Sequence, residues 1–169
     1  MSRNNVYFHS ADGLNTVPTE RWVVIAGAGG AVLAGEPTTL TARGSNTVIL
    51  VVDGGVLVQG TAGLLTLPYA GVAAADSTET SGLRGYCDTY VPTLGIYAAL
   101  AKTSTTADTL IEVDNLVGKR QIFDVTARVF TIDATGTDSA SNTLVLRGGD
   151  KDKAEIWFRF LVNATYLGS

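Results

Sequence analysis

The chain has 169 residues, of which 46% are apolar and 17% charged, and its formal net charge is −4. That length suits one domain with enough apolar material for a core. The acidic balance and the absence of any Lys/Arg run longer than Lys119-Arg120 exclude a basic nucleic-acid-binding stretch, and the single cysteine, Cys87, excludes an internal disulfide.

Residues 1–20 are polar and mixed, with Asp12-Gly13 and Pro18 as breakers, and predict an extended N-terminal arm or a short edge strand. Residues 21–169 predict a single β-rich domain. Within the arm, "NNVYFH" alternates Val6 and Phe8 against Tyr7 and His9, the pattern of a strand able to add to an exposed sheet edge. These four residues are the candidate contact residues. The arm lacks the apolar stretch of a secretory signal, which predicts a chain made in the cytoplasm. The apolar run from Trp22 to Ala34 is shorter than the roughly 20 residues a membrane helix needs.

"RWVVIA" (21–26) predicts the next strand, followed by the glycine cluster Gly27, Gly29 and Gly30. Gly35-Glu36-Pro37 marks a turn, and 38–42 another strand. "NTVILVVDGGVLVQG" predicts a hairpin turning at Asp53-Gly54, because Asp-Gly supplies the positive φ that matches strand twist. Residues 63–76 read as extended, with Pro68 at an edge or bend. Two strands flank Pro92; the first sets Tyr86, Asp88 and Tyr90 on one face and Cys87, Thr89 and Val91 on the other.

A short helix is predicted over about 106–117. Leu110, Val113, Leu116 and Val117 recur at helical spacing, Thr106 or Asp108 caps the start, and Gly118 ends it. The remainder is β: "RQIFDVTARVFTID", "NTLVLRGG" and "AEIWFRFLV". In the last, Ile156, Phe158 and Phe160 alternate with Trp157, Arg159 and Leu161. Gly148-Gly149-Asp150 predicts the loop joining the final two strands. The expected fold is mainly β, a compact barrel or sandwich-like domain with one short helix and an extended N-terminal arm.

Reactive groups are sparse. The glycine cluster starts like a dinucleotide fingerprint, but the sixth position is Val32, and Gly35 and Pro37 stop the helix that would face the pyrophosphate. A turn or bulge where backbones approach closely is the expectation. Zinc needs several His or Cys ligands, and the chain has only His9 and Cys87. A Ser-His-Asp arrangement would have to use His9 in the arm. Cys87 reads as a small core residue. Asp133, Asp138 and Asn142 do not match a calcium loop. Asp76 and Glu79 lie in a polar turn and read as solvated rather than as an acid–base pair. Asn163-Ala164-Thr165 matches a glycosylation acceptor that matters only in a secreted eukaryotic protein. The expectation is no catalytic, cofactor or metal site, hence no enzyme and no small-molecule substrate. So much apolar sequence with so few charges predicts packing against neighbours.

The stretch from Leu67 to Thr109 carries a family resemblance. Gly71 to Thr80 ("GVAAADSTET"), Tyr90 to Pro92, Gly95 to Tyr97, Ala101-Lys102 and Ala34 to Thr41 ("AGEPTTLT") resemble, in content and order, the capsid decoration or cement proteins of tailed bacteriophages. The segments "GKRQIFDVTARVFTID" and "LVLRGGD" are compatible, so the resemblance covers about 30–150. It implies a protein of the virion that binds the outer surface of the mature head, with the major capsid protein as partner. It also implies homotrimers, no cofactor, no nucleic acid and no membrane. The alternatives are another virion protein (a minor head, tail or fibre-associated module) or a glycan-binding β-sandwich using Trp22, Trp157 and the six tyrosines as stacking platforms.

Overall fold

The computed structural model describes residues 6–10, 17–24, 31–41, 44–50, 68–80, 83–102, 117–126, 128–133, 138–140, 142–150 and 152–168. The fold is mainly β, with one nearly closed, barrel-like sheet and one curled sheet. In chain order the strands are β1 (Tyr7–Ser10), β2 (Thr19–Val24), β3 (Pro37–Leu40), β4 (Val48–Leu50), β5 (Tyr69–Ala73), β6 (Gly85–Tyr90) and β7 (Ile96–Ala101). They continue with β8 (Arg120–Gln121), β9 (Phe123–Thr126), β10 (Val129–Ile132), β11 (Leu144–Asp150) and β12 (Glu155–Phe160), and a 3-10 turn follows at Val162–Ala164.

The barrel runs β8-β11-β12-β7-β10-β9. Its two ends are one chain segment, since only Ile122 separates β8 from β9. Arg120 and Gln121 pair with Val145 and Leu144 of β11, and from Phe123, two residues after Gln121, the same segment pairs with β10. The sheet therefore comes round on itself. β7 carries β12 along one side. On its other side β1 occupies the first half, at 96–98, and β10 runs parallel to the second half, at 100 and 101.

Strict alternation fills the barrel. On β12, Ile156, Phe158 and Phe160 point inward, and on β11 Leu144 and Leu146 do the same. Phe123, Phe130, Tyr97 and Tyr69 join them. The rings meet edge to face, with centroids 5.3 Å apart for Phe123 and Phe158 and 5.4 Å for Tyr97 and Phe160. Each such pair adds about 0.5–1.5 kcal/mol beyond burial.

The curled sheet runs β2-β6-β5-β3-β4. Its outer strands meet where the Val23 N–H donates to the Asn46 carbonyl at 2.8 Å, beside a bridge from Val23 to Thr47. Val24, Val32, Leu40, Val48, Ala70, Ala73 and Cys87 form its core.

β5 belongs to both cores and is buried at every residue. Tyr69 and Val72 pack in the barrel core, Ala70 and Ala73 in the other. Residues three apart fall on opposite faces of a regular strand. A bulge resolves this: Thr38 opposes Gly71 and Thr39 opposes Tyr69, so Ala70 is the extra residue. Gly71 has φ +131, and a Cβ there would collide with the Tyr90 carbonyl oxygen.

Several sequence expectations change. Residues 7–10 form a strand paired with β7, the short-strand alternative for this segment, and β2 begins at Thr19. The inward Val6 and Phe8 give the segment an apolar face that closes over the barrel core. The expected loop at Gly148-Gly149-Asp150 is strand; a turn is seen at 152–154, where Asp150 Oδ1 accepts the Asp152 and Lys153 N–H groups. Gly148 instead serves a close approach, with the Trp157 ring 2.9 Å from where a Cβ would stand. The glycine cluster at 27–30 and the Asp53-Gly54 hairpin turn lie outside the described residues. So does the helix expected over 106–117, apart from Val117, which stands in a turn.

Candidate interaction surfaces

The four candidate contact residues divide by face. Val6 is fully buried in the barrel core. Phe8 packs on that core, its ring centroid 6.0 Å from Tyr90 and 5.7 Å from Tyr97. Tyr7 is half-buried and opposes Ala98 across β7. His9 is exposed and stacks on Trp157, with centroids 4.1 Å apart and planes 18° from parallel. In this structure Val6 and Phe8 hold β1 to its own barrel, and the solvent-facing part of the segment is His9.

The other singled-out residues do not converge. Cys87 is buried in the curled-sheet core; burial, and then the carboxylates of Asp88, Glu79 and Glu36, push its thiol up to about 12. Asp76 Oδ1 accepts the Ala34 N–H at 2.8 Å. Glu79 turns its carboxylate oxygens away from solvent, with no hydrogen-bond partner among the described residues. Asp138 accepts the Arg120 N–H, and the Asn142 amide donates to the Arg120 carbonyl at 2.8 Å, so both order the start of β8. Asn163 is exposed on the 3-10 turn. Trp22 donates its indole N–H to Thr89 Oγ1 at 2.9 Å and meets Tyr166 edge to face. Trp157 lies between Gly148 and His9. Both indoles are thus engaged within the fold. Among the described residues no three His, Cys, Asp or Glu side chains gather as a metal site.

A rim of the curled sheet presents apolar side chains to solvent. Leu83 is 66% exposed, Tyr86 49% and Leu33 42%. The chain after β5 holds them together. The Ser77 N–H donates to the Val32 carbonyl at 2.8 Å, and the Thr78 N–H to the Tyr86 carbonyl at 2.9 Å, so this loop runs between Leu33 and Tyr86. The Leu83 N–H donates to the Thr80 carbonyl at 2.8 Å. Arg21 sits 5.6 Å above the Tyr86 ring and grips Asp88 with Nε at 2.8 Å and Nη2 at 3.0 Å. That grip holds the Asp88 carboxyl below its ordinary range.

Sequence reading passed over Leu33 and Leu83. The available signal was their setting: Leu83 is the one large apolar residue in the turn "TSGLRG". Single exposed leucines are common; here three large apolar side chains stand exposed on segments tied together by backbone hydrogen bonds.

No protein-family model, no curated protein and no solved structure matches the chain.

Proposed function

We propose that this chain is a structural decoration, or cement, protein of a tailed-bacteriophage head. It binds the outer surface of the mature capsid, with the major capsid protein as partner, and stabilises joints between capsomers. It works as a homotrimer, by binding and without turnover or cofactor.

One observation carries the reading. The stretch that bears the family resemblance, Gly71 to Thr80, is also the stretch that builds the apolar rim: it forms the end of β5 and the loop bracing Leu33 and Tyr86. The other resembling pieces flank it in space. Pro37 opposes Val72, Tyr90 opposes Val72 on the other side, and Tyr97 lies in the barrel core. Burial of apolar area contributes about 25 cal/mol per Å² before the cost of association. Many copies on one shell multiply a modest contribution per joint.

The test is a mixing experiment. Purified protein is incubated with expanded and with unexpanded phage shells, and co-sedimentation is measured. Binding confined to expanded shells is expected; binding to neither overturns the proposal.

A further inference from the structure

We infer that the outer face of the barrel around Val145 is a docking surface for an acidic segment of a partner protein. The inference stands apart from the capsid reading and uses different residues.

Leu144 and Leu146 point into the barrel, so Val145 faces out. Its cross-strand neighbours are both arginines, Arg120 on β8 and Arg159 on β12. Arg147, next on the same strand, is exposed at the bulge between Leu146 and Gly148. Arginines of three adjacent strands thus stand at neighbouring register positions around one half-buried valine; Arg120 and Arg147 are exposed, and Arg159 is half-buried with contacts of its own in the chain. Neighbouring strands lie about 4.8 Å apart, which sets the backbones of Arg120 and Arg159 about 10 Å apart.

This grouping is unusual for the chain. The net charge is −4, and the ion pairs of the described residues engage Arg21, Lys102, Arg128 and Lys153. Arg120 and Arg147 enter none of them. Like charges gathered on one sheet face oppose folding, so a cationic face on an acidic chain has its rationale in what it meets. Guanidinium groups hold carboxylates by paired, charge-assisted hydrogen bonds.

The surroundings favour protein over nucleic acid. Trp157 lies on Gly148, next to Arg147, and carries exposed His9 on its ring. Arginines around an apolar and aromatic centre are the composition of protein interface cores. A duplex offers a continuous line of phosphates and needs a longer basic track, whereas the two exposed arginines, Arg120 and Arg147, suit a short acidic loop or strand.

The experiment titrates the full chain with a hexaglutamate peptide at low ionic strength, followed by amide and indole NMR shifts. Shifts confined to Arg120, Val145, Arg147 and the Trp157 indole are expected. Affinity should fall about tenfold in the double variant Arg120→Gln/Arg147→Gln, whose folding is checked by its unchanged melting curve. Shifts elsewhere, or undiminished affinity in a folded double variant, overturn the inference. Tighter binding of a duplex oligonucleotide at the same resonances overturns it as well.

Discussion

Arg128 and Glu36 form a two-pronged ion pair across the two sheets. Arg128 stands at the β9–β10 turn of the barrel with φ 64, and Glu36 immediately precedes β3 of the curled sheet. Arg128 Nε donates to Glu36 Oε1 at 2.8 Å and Nη2 to Oε2 at 2.6 Å, while Nη2 also donates to the Ala31 carbonyl at 2.8 Å. Glu36 Oε2 accepts the Leu33 N–H as well. The glutamate side chain is 2% exposed and the arginine 42%. The hydrogen bond to Glu36 raises the Arg128 pKa above its ordinary value.

Removing the arginine leaves a buried carboxylate without its cation, which is costly at fully buried pairs, about 3–5 kcal/mol. Half of Arg128 reaches water, so Arg128→Ala should cost less, roughly 2–3 kcal/mol. Urea unfolding at neutral pH measures it. In a double variant with Glu36→Gln the loss should be smaller than the sum of the two single losses.

Gly71 and Gly44 separate two reasons for a glycine. Both have positive φ, but a Cβ at Gly71 meets the Tyr90 carbonyl whereas nothing lies within 4 Å of one at Gly44. Gly44→Ala should cost about 1–2 kcal/mol, the backbone term alone. Gly71→Ala should cost well over that, about 3 kcal/mol or more, because the bulge must open. Equal melting temperatures for the two variants would show that the β5 bulge is not sterically fixed.

Cys87 gives an alkaline signature. Its thiol ionises near 9.0 when unconstrained and at about 12 in the fold. The neutral, buried form is favoured in the native state, so this contribution is complete below pH 9.0 and is lost as pH rises towards 12. Cys87→Ala should therefore show a shallower fall in stability over that range. Native protein should also resist thiol reagents at pH 8 and react once unfolded.

Asp88 gives the opposite limb. Arg21 lowers its pKa from 3.8, so the contribution of the pair is present above that value and lost as pH falls through the lower, native one. Both side chains are substantially exposed, at 66% and 36%, so the effect is small and screened by salt. The stability difference between Asp88→Asn and the native chain should shrink below pH 3.8 and with added salt.

The rim tests the proposed function directly. Leu83→Ser and Tyr86→Ser change exposed side chains, so stability should move by no more than about 0.5 kcal/mol for Leu83. Co-sedimentation with expanded shells should fall at least tenfold. Full binding by both variants would remove the rim from the contact.

How much of this was legible depended on how local each signal is. Ile156, Phe158 and Phe160 announce β12 because alternation is a period-2 signal within six residues. Cys87, Thr89 and their outward neighbours were equally plain, and β6 alternates as expected. Gly148-Gly149 misled because glycine pairs signal turns, and only the Trp157 ring, nine residues on, explains them as strand. Glu36 and Arg128 are 92 residues apart, and neither has a neighbour that announces the pair. Arg120, Arg147 and Arg159 are scattered in sequence and meet only through the registers of β8, β11 and β12. The absence of a basic run was a correct reading of the sequence and a poor guide to the surface. Leu83 was invisible for the contrary reason: an apolar residue in a polar turn looks incidental until its exposure is known.

The sharing of β5 between two cores bears on how the molecule comes apart. Peeling the curled sheet away would withdraw Tyr69 and Val72 from the barrel, and opening the barrel would strip one face from the strand that anchors Ala70 and Ala73. Neither half has a route to melt alone. Amides of β5 should therefore exchange with deuterium only through complete unfolding, and calorimetry should record one transition, with the two sheets acting as a single cooperative unit.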